Sequence, residues 1–285
     1  WVTEIQLAPG NDKVDHHALI TQDVNGESVE WDEKFDCFNI PSVDGFLMAT
    51  WTPGAVPMKT PATTAMPLYP DARIIVQMHY HPTADGAEFD QSKVQIKWQD
   101  EEPEWAAAQA LVGNDDDYDE EDGTGLQPGP NDPEEGPAFV IPAGAVDHTE
   151  TILYTQTFPM DLPLFSVGTH MHYVGTDMKI DFIDNDGDSG GGESCMIQTP
   201  WDFDWQRVYS FDAPIEDLPV IGAGDSLRLR CTYDNSMANP AVVRALADAG
   251  LDEPVDIWLG EETLDEMCLG LFGILVPPSL VGELF

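Results

Sequence analysis

Apolar residues in this chain recur at every second position or in short unbroken runs, and seldom at the three-and-four spacing of an amphipathic helix. VDHHALIT (14–21), ARIIVQMHY (72–80), KVQIKWQ (93–99), AFVIPAG (138–144), TILYTQTF (151–158), MKIDFID (178–184), SLRLRCTY (226–233) and LGLFGILV (269–276) are punctuated by Gly, Pro, Asn and Asp and read as β-strands. One segment has helical character: PAVVRALADAGL, 240–251, with Pro at its start and Gly250 near its end. The chain is expected to be all-β and sandwich-like.

The stretch GNDDDYDEEDGTGLQPGPNDPEEG, 113–136, carries dense charge with Gly and Pro and no apolar period, so it reads as an acidic linker or long solvated loop. It separates a half spanning 1–112 from one spanning 137–285, each the size of a domain. DNDGDSGGGE, 184–193, lies between strand patterns; its Asp spacing lacks the order and closing Glu of an EF-hand, so a solvated turn is the expectation.

Charge removes whole classes of function. Against 53 Asp and Glu stand 11 Lys and Arg, a formal net charge of -42, which repels nucleic-acid phosphates and anionic membranes. Composition does not say whether this acidity reflects salt adaptation, multivalent cations or a cationic partner. No apolar run is long enough to span a membrane. The chain opens on Trp1 rather than Met, as a processed protein or an excerpt of a longer one would. Four cysteines are too few for a disulfide framework at this length but sufficient for one or two staples in an oxidising compartment.

Six of the seven histidines fall in tight groups: His16 with His17, His79 with His81, and His170 with His172. Residues i and i+2 of a strand project from one face, so each His-x-His group can chelate without distorting the backbone. Met171, between the second pair, should then point into the sandwich. Neighbours such as His16 and His17 face opposite ways on a regular strand; sharing an ion would require a bulge or a strand end. His148 stands alone in GAVDHTET and is expected at the surface or in a turn. The cysteines lack CxxC spacing, which speaks against a closed zinc site. Imidazole suits copper and zinc alike, and a thioether ligand selects Cu(I). The residues alone thus lead to a transition-metal protein with two or three histidine nodes.

Taken in order, VDHHALI (14–20), IVQMHYH (75–81), THMHYVG (169–175), LRCTYDNS (229–236) and DEMCLGLF (265–272) resemble the copper type II, ascorbate-dependent monooxygenases, the family of peptidylglycine α-hydroxylating monooxygenase and dopamine β-monooxygenase. The resemblance implies two jelly-roll-like β-sandwich domains, each with a copper site, facing across a cleft. It assigns His16, His17 and His79 to an electron-transfer copper, and His170, His172 and Met267 to a catalytic copper that activates dioxygen. It gives His81 no ligand role. Ascorbate or a similar one-electron donor supplies the electrons, and an aliphatic C–H bond of a small-molecule substrate is hydroxylated. It further implies a Cys231–Cys268 disulfide and a secreted, extracellular or periplasmic location.

The departures concern substrate. Peptide-amidating members carry Arg two residues before the His-x-His motif and Asn and Tyr beyond the Met-Cys pair; here those positions are Gly168, Leu269 and Leu271. Peptide amidation is therefore not expected, and a non-peptide, neutral or hydrophobic substrate is. WDFDWQRVYSF, 201–211, offers aromatics either to such a pocket or to the core. Cys37 matches a family cysteine whose upstream partner is absent from this sequence; it is free, pairs with Cys195, or belongs with a strand this chain lacks. The alternative functions are a noncatalytic extracellular copper-binding protein and a structural or assembly protein with vestigial sites.

Overall fold

In the first half the strand runs pair into two small sheets. The computed structural model describes residues 1–285 except 31–44, 81–85, 116, 131, 135, 188–190, 204, 261, 263 and 282–285. Strands β1 (Val2–Ala8), β4 (Met58–Lys59) and β7 (Lys93–Trp98) form one sheet in the order β4-β1-β7. Strands β2 (Asp15–Asp23), β3 (Gly45–Trp51) and β6 (Arg73–Tyr80) form the other in the order β3-β2-β6. Their inward residues, among them Ile5, Leu7, Ile20, Phe46 and Met48, are buried.

The second half is a sandwich of two larger sheets. One joins β9 (Gly125–Leu126), β11 (His148–Thr155), β13 (Gly175–Asp184), β14 (Gly192–Pro200) and β17 (Ser226–Tyr233) in the order β14-β13-β17-β11-β9. The other joins β5 (Thr64–Ala65), β8 (Trp105–Gly113), β12 (Leu162–His170), β15 (Val208–Ser210) and β19 (Leu269–Val276) in the order β15-β12-β19-β8-β5, with β16 (Val220–Ile221) paired to β12. A short pair, β10 (Val140–Ile141) with β18 (Ile257–Trp258), lies outside both. The architecture is all-β and sandwich-like, and all eight runs read from the sequence carry strand.

The change from one set of sheets to the other differs from the sequence reading. Strand β8 lies within 1–112 apart from its last residue, yet all but its first residue pairs with β19, from Leu269 opposite Gly113 to Val276 opposite Ala106. The first half thus contributes two strands to the larger sheet, β8 and the short β5 that pairs with it in parallel. The stretch 113–136 is not wholly a connector either, because β9 within it pairs with β11. Both strands are short of sequence signal: β8 is built on Ala106, Ala107 and Ala108, small residues of weak strand preference that are almost fully buried here.

Cys231 and Cys268 form a disulfide with Cα atoms 5.8 Å apart, both fully buried. It ties β17 of one sheet to the residue preceding β19 of the other. Among the described residues Cys195 is a free, exposed cysteine, while Cys37 and His81 lie outside the described residues. The expected helix forms as α1 (Pro240–Ala249): Asn239 caps it by accepting from Ala241 N at 3.0 Å, and Gly250 ends it with φ 70°. Val242, Ala245 and Leu246 form its buried stripe.

Candidate metal centre

The first histidine group is built by a bulge. In the β2–β6 ladder Asp15 pairs with Tyr80 and His17 pairs with His79, so His16 is an extra residue with no opposite number. This is the local irregularity that neighbouring histidines need if both are to reach one region. The rings of His17 and His79 lie 4.1 Å apart between centroids, and those of His16 and His17 lie 5.0 Å apart. His17 Nδ1 is buried and has no hydrogen-bond partner among the described residues, the condition of a donor atom that a metal would satisfy.

The second group sits where β12 ends. His170 closes the strand, opposite Leu269, which is two residues from Met267. The fold thus brings the Met267 segment, remote in sequence, beside the histidine pair. The rings of His170 and His172 are 5.4 Å apart and nearly perpendicular. Met171 between them is fully buried, although it and His172 lie beyond the end of β12.

Both imidazoles have their tautomers fixed. His172 Nδ1 lies 2.9 Å from the carbonyl oxygen of Asp265, which can only accept, so Nδ1 carries the proton. His170 Nδ1 lies 2.9 Å from Gln206 Oε1. The amide orientation is set by Gln206 Nε2 donating to Phe203 O at 3.1 Å. Each ring therefore keeps its Nε2 lone pair free for a ligand, the arrangement that carbonyl partners impose on metal-binding histidines.

Burial supplies the right charge state. It pulls His17 down to about 2, helped by repulsion from His79, His16, His170 and His172. Burial likewise lowers His170 to about 3, with His172 adding to it and the Gln206 bond opposing, and lowers His172 to about 4 against the Asp265 carbonyl. His79 is lowered by burial as well. These four rings are neutral at neutral pH, the form that binds metal.

Sequence reasoning missed Glu266. Fully buried, it accepts from His172 N (2.7 Å), Met267 N (2.8 Å), Val174 N (3.0 Å) and Gly175 N (3.2 Å), pinning the turn after His172 to the Met267 segment. Burial pushes its carboxyl up to about 8 despite these four donors, which favour the anion. Nothing local in DEMC sets this acid apart from the other 52. Gln206 was likewise unmarked within an aromatic segment.

Next to His170 on the same face of the sheet lies the row Val208, Gly168, Leu271 and Leu111, each opposite the next across neighbouring strands. A Cβ on Gly168 would meet Val208 Cγ2 at 2.9 Å and the Arg207 carbonyl oxygen at 3.2 Å. Larger side chains are excluded there, and the row holds no charge.

Two other polar groups clarify the picture. His148 is not at the surface: it begins β11, is buried, and its Nε2 lies 2.7 Å from Glu150 Oε1 on the same face of the strand. A surface or turn position was expected, whereas the strand pairs His148 with the buried Tyr233. Asp184, Asp186 and Asp225 bring three carboxylate oxygens within 4.8 Å of one another. Among the described residues His16, His17 and His79 are not gathered that tightly, so closing them round one ion requires side-chain rotation. In donor type, tautomer and charge the histidine groups fit a metal; in spacing they are open.

No family model and no curated protein matches this chain. Among solved structures it is similar to the VP2 subviral particle of infectious bursal disease virus, at 12% identity over 99% of this chain and 67% of that chain, with a TM-score of 0.23. The structure of the Gx strain of the same virus matches at 12% identity over 99% and 67%, with a TM-score of 0.22.

Proposed function

We propose that this protein is a copper-dependent monooxygenase that hydroxylates an aliphatic C–H bond of a non-peptide substrate, using dioxygen and a one-electron donor such as ascorbate. The observation that carries the reading is the pairing of His170 and His172, each with its Nδ1 proton committed to an oxygen acceptor and Nε2 free, beside the Met267 segment. Two histidines and a soft thioether form a donor set that favours Cu(I) and leaves coordination positions open. His16, His17 and His79 supply imidazole donors only, which tolerate both oxidation states of copper.

When bound, copper supplies the one-electron chemistry with dioxygen by which a hydrogen atom is removed from carbon and an oxygen atom is returned. The chain's own residues do the rest. Gln206 and the Asp265 carbonyl orient the two rings, and Glu266 holds His172 and Met267 in one frame. The uncharged row beside His170 suits a neutral or apolar substrate and offers a carboxylate no counter-charge. The buried disulfide fits an oxidising compartment and hence a secreted, extracellular or periplasmic protein.

The test is metal analysis of the purified protein followed by ascorbate-dependent oxygen uptake with a panel of uncharged substrates. Two coppers per chain and substrate-stimulated uptake are expected, and Met267→Ala should abolish the uptake while the histidine-only copper remains. Tight binding of two coppers without stimulated uptake would favour a noncatalytic copper-binding protein. A folded sample with no copper affinity would exclude both.

A further inference from the structure

We propose that Phe203 is a positioning residue that holds the two histidine groups against each other, its ring wedged between His16 of the first and Tyr173 beside the second. Phe203 stacks on His16 with centroids 4.8 Å apart and on Tyr173 with centroids 4.0 Å apart, each pair inclined by 25°. Tyr173 directly follows His172. One ring thus spans from the bulge in β2 to the turn after β12. Offset aromatic stacks prefer defined spacing, so a ring held on both faces resists sliding in a way that a flexible aliphatic chain does not.

The residues flanking Phe203 are fastened to both halves of the chain. Trp201 Nε1 donates to His172 O at 2.9 Å, and Gln206 reaches His170. From the first half, Thr52 Oγ1 donates to Gln206 O at 3.1 Å, and Arg207 donates to Gly54 O while lying 4.0 Å over the Trp205 ring. The same short segment therefore holds the His170 ring, the His172 backbone and the turn after β3. Its polar anchors are distributed along the segment, and Phe203 stacks on a histidine of the first group.

This inference rests on the copper reading only for its first test. With both sites loaded with Cu(II), pulsed dipolar EPR should give one narrow copper–copper distance in the native protein and in Phe203→Trp, which keeps a flat ring. Phe203→Leu keeps apolar bulk without a stacking face; it should still bind two coppers but with a longer, broader distribution. A native distribution in Phe203→Leu would overturn the proposal. The second test needs no metal: in the metal-free protein, NMR of the histidine rings should show Phe203→Leu moving His17, His79, His170 and His172 as well as its direct neighbours His16 and Tyr173, and Phe203→Trp restoring them. Shifts confined to His16 and Tyr173 would overturn it. A native protein without copper affinity would sink the copper reading and leave this second measurement to decide.

Discussion

His17 and His79 stand directly opposite each other in the β2–β6 ladder with ring centroids 4.1 Å apart. Burial disfavours a charge on either ring, and at His17 repulsion from His79 adds to it, so the pair is held neutral. His170 and His172 share that condition. Rings in this condition stay in the neutral form that metal ligation requires.

The pH dependence of stability follows, and its sign differs on the two sides of neutrality. His17, His170 and His172 titrate in the fold near 2, 3 and 4 against an ordinary value of 6.5. The unfolded chain therefore binds more protons in this window, and the stability they contribute is complete above about pH 6.5 and lost as pH falls. Glu266 is raised to about 8 from 4.5, so it does the reverse, its contribution being lost as pH rises from 4.5 through 8. Three groups outweigh one on the acid side, and one acts alone on the alkaline side. Urea unfolding of the metal-free protein should give a maximum near pH 7, with a steeper acid limb. A flat profile between pH 5 and 8 would contradict these burial effects.

Glu266→Gln separates charge from shape. Glutamine keeps the size but replaces one carboxyl oxygen, an acceptor in either protonation state, with an NH2 group that cannot accept from the backbone N–H donors there, those of His172 and Met267 on one oxygen or of Val174 and Gly175 on the other. Leaving such buried donors unpaired should cost about 1–3 kcal/mol at pH 7. The variant should also lose the alkaline limb, since no titrating group remains at the position. Denaturant midpoints across pH read both effects, and an unchanged midpoint would mean that these backbone groups find other partners.

Much of this arrangement could be read from the chain, and what could not has definite causes. Period-two alternation and short apolar runs marked the strands, whereas the same-face reading of His-x-His was not met within a strand, since His172 lies beyond the end of β12 and His81 outside the described residues. The need for an irregularity at His16 and His17 was evident from neighbours facing opposite ways, and the bulge lies there. The affiliation of β8 was not evident, since Ala106, Ala107 and Ala108 carry little strand preference and pairing with β19 is a contact across more than 150 residues. His148 misled because exposed turns and buried hydrogen-bonded pairs use the same residue types; only Glu150, two residues on, hinted at a partner. Glu266 and Gln206 act through backbone atoms and ring nitrogens brought together by the fold, which leave no spacing in the sequence.

Gln206 offers the sharpest test of the histidine geometry. Its Oε1 accepts the Nδ1 proton of His170, and its own NH2 group is committed to Phe203 O, so the amide cannot turn over without losing a bond. Gln206→Leu removes the acceptor and frees His170 to adopt either tautomer and to rotate. Losing such a partner typically weakens metal affinity about 10–100-fold. Gln206→Glu keeps an oxygen at the same reach and adds a negative charge that raises the ring's basicity, so it should preserve or tighten binding. Competition of each variant against a copper chelator of known strength measures the difference, with the histidine-only site serving as the internal reference. Equal affinity in the native, Leu and Glu forms would mean that His170 is oriented by the backbone of β12 and its neighbours rather than by the amide.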